Sequence, residues 1–192
     1  MAIVGGDTAR GPTLELHVFA VGRVPRGQAV LRSGAKPGDV IYVTGSLGGS
    51  LAGRHLAFEP RLREGQWLLG KHWATAMMDV SDGLAADLPR LVAASGVGAV
   101  LAAECIPVSG AARRAGKGLT ALEHALGDGE DFELLFTVKA ARAAAFEKAW
   151  KAKFTLRCTR IGLITRTAGV SLAAAGKVRP LTHQGYDHFR QT

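Results

Sequence analysis

The stretch Ala76-Met77-Met78-Asp79-Val80-Ser81-Asp82-Gly83-Leu84-Ala85-Ala86-Asp87-Leu88 constrains the chain most, because it changes periodicity in mid-run. Ala76 to Met78 is an apolar run that reads as the end of a buried strand. Asp79 then places a carboxylate where that strand is expected to leave the sheet. Ser81 or Asp82 suits the N-cap of a following helix. Leu84, Leu88, Leu91 and Val92 recur at helical spacing and give that helix an apolar face. Two carboxylates and a hydroxyl thus gather at a strand-to-helix turn. Carboxylates there can hold Mg2+, and the N–H groups of a helix start favour phosphate. The same residues equally suit a plain cap with a spare acid.

A second acidic knot, Gly127-Asp128-Gly129-Glu130-Asp131-Phe132-Glu133, precedes the apolar run Leu134-Leu135-Phe136. The chain has 192 residues, with Lys+Arg 24 against Asp+Glu 16 and a formal net charge of +8. A basic chain that concentrates its acids in two places is expected to use them, although a solvated hairpin tip is also acid- and glycine-rich. From residue 141 onward ten Lys or Arg face only two acids, Glu147 and Asp187. These bases are dispersed and lack interleaved aromatics. They read as a solvated basic face before a phosphate-attracting one, and a nucleic-acid groove comes last. No apolar run approaches the ~20 residues of a membrane span, and no leader is visible. Cys105 and Cys158 lie far apart without a CxxC spacing, which suggests reduced thiols and a cytoplasmic chain.

Along the rest of the chain, Gly5-Gly6-Asp7-Thr8 is a glycine turn, and the loose alternation of Thr13 to Val24 predicts a strand. Val40 to Val43, Val97 to Ala102, Phe132 to Val138, Leu156 to Ile164 and Val170 to Leu172 are predicted strands, with 132–138 central. Helices are predicted over 50–58, 62–73, 109–115, 120–126 and 140–150, with Leu62, Trp67 and Leu69 partly buried. The loop Thr44-Gly45-Ser46-Leu47-Gly48-Gly49-Ser50 lacks the Gly-Lys-Ser/Thr ending of a phosphate loop. Close packing of helix on strand is the favoured reading of its glycines.

MDVSDGLAADL at 78–88, GDGEDFELLF at 127–136, the opening Gly5-Gly6-Asp7-Thr8 and the closing Gly185-Tyr186-Asp187-His188-Phe189 together resemble the thiamine-monophosphate kinase family. That family belongs to the ATP-binding superfamily of aminoimidazole ribonucleotide synthetase and selenophosphate synthetase. The resemblance covers nearly the whole chain in order. It implies an α/β (α+β) fold, a mixed β-sheet flanked by helices, as in the C-terminal domain of that superfamily. Residues 1–25 would be the last strand and ATP/metal turn of a truncated N-terminal domain, and 26–192 the C-terminal domain. The implied reaction is ATP-dependent phosphorylation of thiamine monophosphate to thiamine diphosphate, with Mg2+ as cofactor and ATP as co-substrate.

Carried over residue by residue, the resemblance puts ATP on the Gly6 backbone, Asp7, Arg32 and Ser81. Mg2+ falls to Asp7, Asp79 and Asp82. Glu130 and Tyr186 would bind the thiamine monophosphate side, with Phe189 the second choice for the thiamine ring. Asp128 stands where the family usually has a second glycine. No general base is implied, since the attacking phosphate oxygen is already ionised and transfer proceeds by positioning. The family carries a further N-terminal segment of roughly a hundred residues, with more metal ligands and the homodimer contacts, so the chain alone is expected to be inactive or nearly so. The rival readings are another ATP-dependent enzyme of the superfamily and a non-catalytic nucleotide- or partner-binding remnant. The common expectation is that Asp79/Ser81/Asp82 and Glu130 face one metal-and-nucleotide cleft.

Overall fold

The computed structural model describes residues 2, 4–6, 10–15, 17–116 and 118–182. Seven strands form one mixed sheet: β1 Val40–Thr44, β2 Ala74–Val80, β3 Gly98–Ala102, β4 Glu133–Val138, β5 Cys158–Thr165, β6 Gly169–Ala174 and β7 Lys177–Pro180. Their order is β2-β4-β1-β5-β3-β6-β7. Every neighbouring pair is antiparallel except β3 with β6. Five α-helices accompany it: α1 Leu62–Gly70, α2 Leu84–Ser95, α3 Gly110–Arg114, α4 Ala121–Gly127 and α5 Ala143–Lys153.

The apolar run of β1 is explained by cover on both faces. Ile41 and Val43 enter a core with Leu84, Leu88 and Leu91 of α2 and Leu126 of α4. Val40 and Tyr42 enter a second core with Leu68 of α1 and with Phe146 and Trp150 of α5. The Leu84, Leu88, Leu91, Val92 spacing is the buried stripe of α2, as its periodicity predicted. Each of those leucines is fully buried, a contribution of about 2 kcal/mol apiece. Trp67, Trp73, Phe146, Trp150 and Phe154 form one cluster of edge-to-face and tilted rings on the α5 side, with Phe146 and Trp150 ring centroids 5.7 Å apart.

Several expectations change. Among the described residues, 13–24 contain no strand and lie exposed, with Phe19 at 91%. A strand is held by its neighbour's N–H and C=O groups, and among the described residues no strand lies beside this segment. The helix expected over 50–58 is two 3-10 turns, Ser50–Ala52 and Arg54–Leu56. Gly53, at φ 126, breaks the helix between them. Leu62 is 68% exposed, and Leu68 is the buried residue of α1 instead. The exposed strand β7 gave no apolar pattern to read.

Candidate functional site

Antiparallel pairing of β2 with β4 decides where the acids meet. Asp79 is paired with Leu134 and Val80 with Glu133, so the turn leaving β2 lies beside the turn entering β4. The Glu130 N–H donates to the Ser81 carbonyl at 2.6 Å, and the Phe132 N–H donates to the Val80 carbonyl at 2.8 Å. Because β1 pairs with β4 as well, the glycine loop after Thr44 reaches the same end of the sheet. The structure therefore places Asp79, Ser81, Asp82 and Glu130 at one end of the sheet, where the Ser81 and Glu130 backbones meet. They line none of the cavities of about 700, 400, 380 and 210 Å³. The two acidic turns share one end of the sheet, while those cavities lie elsewhere.

The local detail differs from the sequence reading. Asp79 lies inside β2, with Val80 as the last residue, and its side chain is exposed on the edge strand. Neither Ser81 nor Asp82 caps α2. The cap position is Gly83 at φ 95, where a Cβ would come 2.8 Å from the Leu126 carbonyl. The side chain that organises the turn is Asp87, which is fully buried and accepts from the Ser81 and Asp82 N–H groups at 2.9 Å each. It outcompetes the expected caps by reaching back from inside the helix, near the positive end of its dipole. Burial pushes the Asp87 pKa up, against the pull of those two amides and Arg90. Arg90 bridges Asp87 at 2.7 Å and Asp82 at 2.5 Å.

The acidic turn before β4 divides into buried and accessible members. Glu133 is buried and accepts from Thr44 Oγ1 at 2.6 Å, Arg54 at 2.8 Å and both Nε and Nη2 of Arg61 at 2.8 Å. Asp131 is buried with both oxygens 3.0 Å from the Gly48 N. Burial pushes its pKa up to about 7, while the Gly48 amide and Arg54 pull the other way. Asp128 accepts from the Gly49 N–H at 2.7 Å and bonds His124 Nδ1 at 2.9 Å. Its backbone is right-handed at φ −64, a conformation that makes no demand for glycine. Glu130 and Phe132 hold left-handed backbones at φ 56 and 51, which is strained for residues with a Cβ. The Phe132 ring stacks on Phe58 with centroids 4.2 Å apart.

The glycine loop is shaped by close packing, as expected. A Cβ on Gly45 would lie 2.0 Å from Glu133, and one on Gly48 would lie 2.6 Å from the Ala125 N. Two of the loop N–H groups, those of Gly48 and Gly49, are taken by Asp131 and Asp128. Sequence reasoning missed Arg54, Arg61, Asp87 and Arg90. Their partners lie across the sheet or at i+3 within a helix that already looked amphipathic, so only an Asp87/Arg90 helical pair was in principle visible.

The remaining candidates are apart or undescribed. Arg32 is exposed, and its carbonyl accepts from Ser95 Oγ at 3.1 Å, at the far end of α2. That end is about 18 Å from the Gly83 turn, given 1.5 Å per residue. Gly6 is exposed, with nothing within 4 Å of the place its Cβ would occupy. Asp7, Tyr186 and Phe189 lie outside the described residues. Among the described residues, no three His, Cys, Asp or Glu side chains are grouped to hold a metal. Asp79 and Glu130 make no side-chain hydrogen bond or ion pair there, whereas Asp82 is committed to Arg90. One or two carboxylates still fit Mg2+, which takes its other oxygens from phosphates and water.

Comparison with known proteins agrees with this architecture. The family model for AIR synthase related protein, C-terminal domain, matches residues 36–174. Thiamine-monophosphate kinase of Rhodopirellula baltica is 42% identical over 98% of this chain and 59% of its own length. Thiamine-monophosphate kinase of Escherichia coli K12 is 39% identical over 98% of this chain and 64% of its own. The chain thus spans about three fifths of the length of these curated relatives. The solved structure of AaThiL complexed with AMPPCP and TMP superposes with a TM-score of 0.64 at 32% identity, covering 83% of this chain and 54% of that one. The matched domain, these relatives and the mixed seven-stranded sheet agree, and the chain belongs to the AIR synthase related protein family, through its C-terminal domain.

Proposed function

We propose that the chain is part of an enzyme that phosphorylates thiamine monophosphate to thiamine diphosphate at the expense of ATP. An oxygen of the thiamine monophosphate phosphate attacks the γ-phosphorus, the bond to the ADP oxygen breaks, and ADP leaves with that electron pair. The observation that carries the reading is the meeting of the two acidic turns through Glu130 N and Ser81 O, in a chain so similar to thiamine-monophosphate kinases. The AaThiL complex with AMPPCP and TMP supports the choice of substrates.

In this reading the Ser81 hydroxyl binds an ATP phosphate, with the Gly6 backbone, Asp7 and Arg32 as further ATP contacts. Asp79, Asp82 and Asp7 are the Mg2+ ligands. The ion, when bound, neutralises the facing phosphates. Glu130 and Tyr186 take the thiamine monophosphate side. Asp82 must release Arg90 to act as a ligand, which leaves that guanidinium beside the anionic substrates. Residues 1–25 finish an N-terminal domain and 26–192 form the C-terminal one. The whole enzyme is a cytoplasmic homodimer without nucleic-acid or membrane partners.

The 192-residue chain alone turns over little or not at all in this reading, and adding a relative's N-terminal segment restores turnover. Chromatographic detection of thiamine diphosphate, with the chain alone and with the added segment, tests both statements. Robust turnover by the chain alone would refute the first, and silence in the mixture would refute the second. The commitment of Asp82 to Arg90 favours one alternative, a non-catalytic nucleotide- or partner-binding remnant. That reading predicts ATP binding without ADP release in either preparation.

A further inference from the structure

The Glu130 backbone is gripped from three directions, although its side chain has no partner among the described residues. Its N–H donates to the Ser81 carbonyl at 2.6 Å, and its carbonyl accepts from Ser50 Oγ at 2.6 Å. The next residue, Asp131, anchors its carboxylate on the Gly48 N–H. Ser50 is fully buried and Asp131 is 1% exposed. Both anchors belong to or bind the glycine loop, which is itself pressed against the start of Ala125 in α4 at Gly48. Glu130 holds φ 56, which its side chain disfavours, so the surrounding contacts must impose it.

We infer that Ser50 and Asp131 are positioning residues that aim the Glu130 carboxylate at its ligand by fixing the turn from the glycine loop. The inference rests on the proposed role of Glu130 in binding thiamine monophosphate. Ser50 and Asp131 touch no substrate in it. They act only through Glu130, which separates them from residues that merely stabilise the fold.

Calorimetric titration of thiamine monophosphate into the 192-residue chain tests it, with Ser50→Ala, Asp131→Asn, Glu130→Gln and the Ser50→Ala/Glu130→Gln double variant, each checked for folding by circular dichroism. Ser50→Ala is expected to weaken binding about tenfold, and the double variant to bind no more weakly than Glu130→Gln alone. Additive losses, or wild-type affinity in both Ser50→Ala and Asp131→Asn, overturn the inference. Asp131→Asn carries the test if Ser50→Ala fails to fold. Should the wild-type chain alone bind no thiamine monophosphate, the titrations are repeated with the relative's N-terminal segment added, and absence of wild-type binding there overturns the functional reading and the inference with it.

Discussion

Glu133 shows how the buried acids of this chain are accommodated. A carboxylate at 2% side-chain exposure meets a hydroxyl and two guanidiniums, so its charge is compensated by hydrogen bonds as well as by opposite charge. The Glu133 bond in turn raises the Arg61 pKa. Arg61→Ala strands part of that charge and is expected to cost about 3 kcal/mol, the low end for a broken buried pair because Arg54 and Thr44 remain. Urea unfolding measures it, and a loss below about 1 kcal/mol contradicts the account. Asp131 makes a prediction of the opposite kind. Its folded pKa, about 7, lies above its ordinary 3.8. Between those values the unfolded chain has lost the proton and the folded chain keeps it, so this contribution to stability is full below about 4 and lost as pH rises to about 7. Asp131→Asn should flatten that part of the stability profile relative to wild type. Little of this was legible beforehand. The sequence showed Asp131 and Glu133 only as members of one acidic knot, because their burial depends on Gly48 and Arg54 some eighty positions away.

At the scale of elements, local signals were reliable where the chain could satisfy itself. Thr120 caps α4 in a reciprocal box with Glu123, close to the start read from the sequence. Thr120→Ala is expected to cost about 1 kcal/mol, read as a shift in thermal midpoint, and no shift would deny the cap its role. The buried strands β1 and β4 were visible as apolar runs because both their faces are covered. Signals failed where a distant group intervened. Asp87 displaced the expected caps of α2. Residues 13–24 alternate like a strand but have no partner among the described residues. An amphipathic pattern states which face would be buried, and only the rest of the fold supplies the surface that buries it.

The whole molecule is organised by one sheet, and the described part of the N-terminal stretch adds nothing to it. The described side-chain bonds of 10–24 are local, such as Thr13 to Glu15 at 3.4 Å. Deleting residues 1–24 should therefore leave the thermal midpoint within about 2 °C of the parent, and a larger drop would place that stretch in the folded unit. The sheet order has a kinetic corollary. Val40 of β1 pairs with Val138 on one side and Leu163 on the other. An emerging nascent chain thus cannot complete its central ladder until β5 has left the ribosome. Such non-local closure implies slow, late, cooperative folding. Until then the twice-buried face of β1 stays available to chaperones.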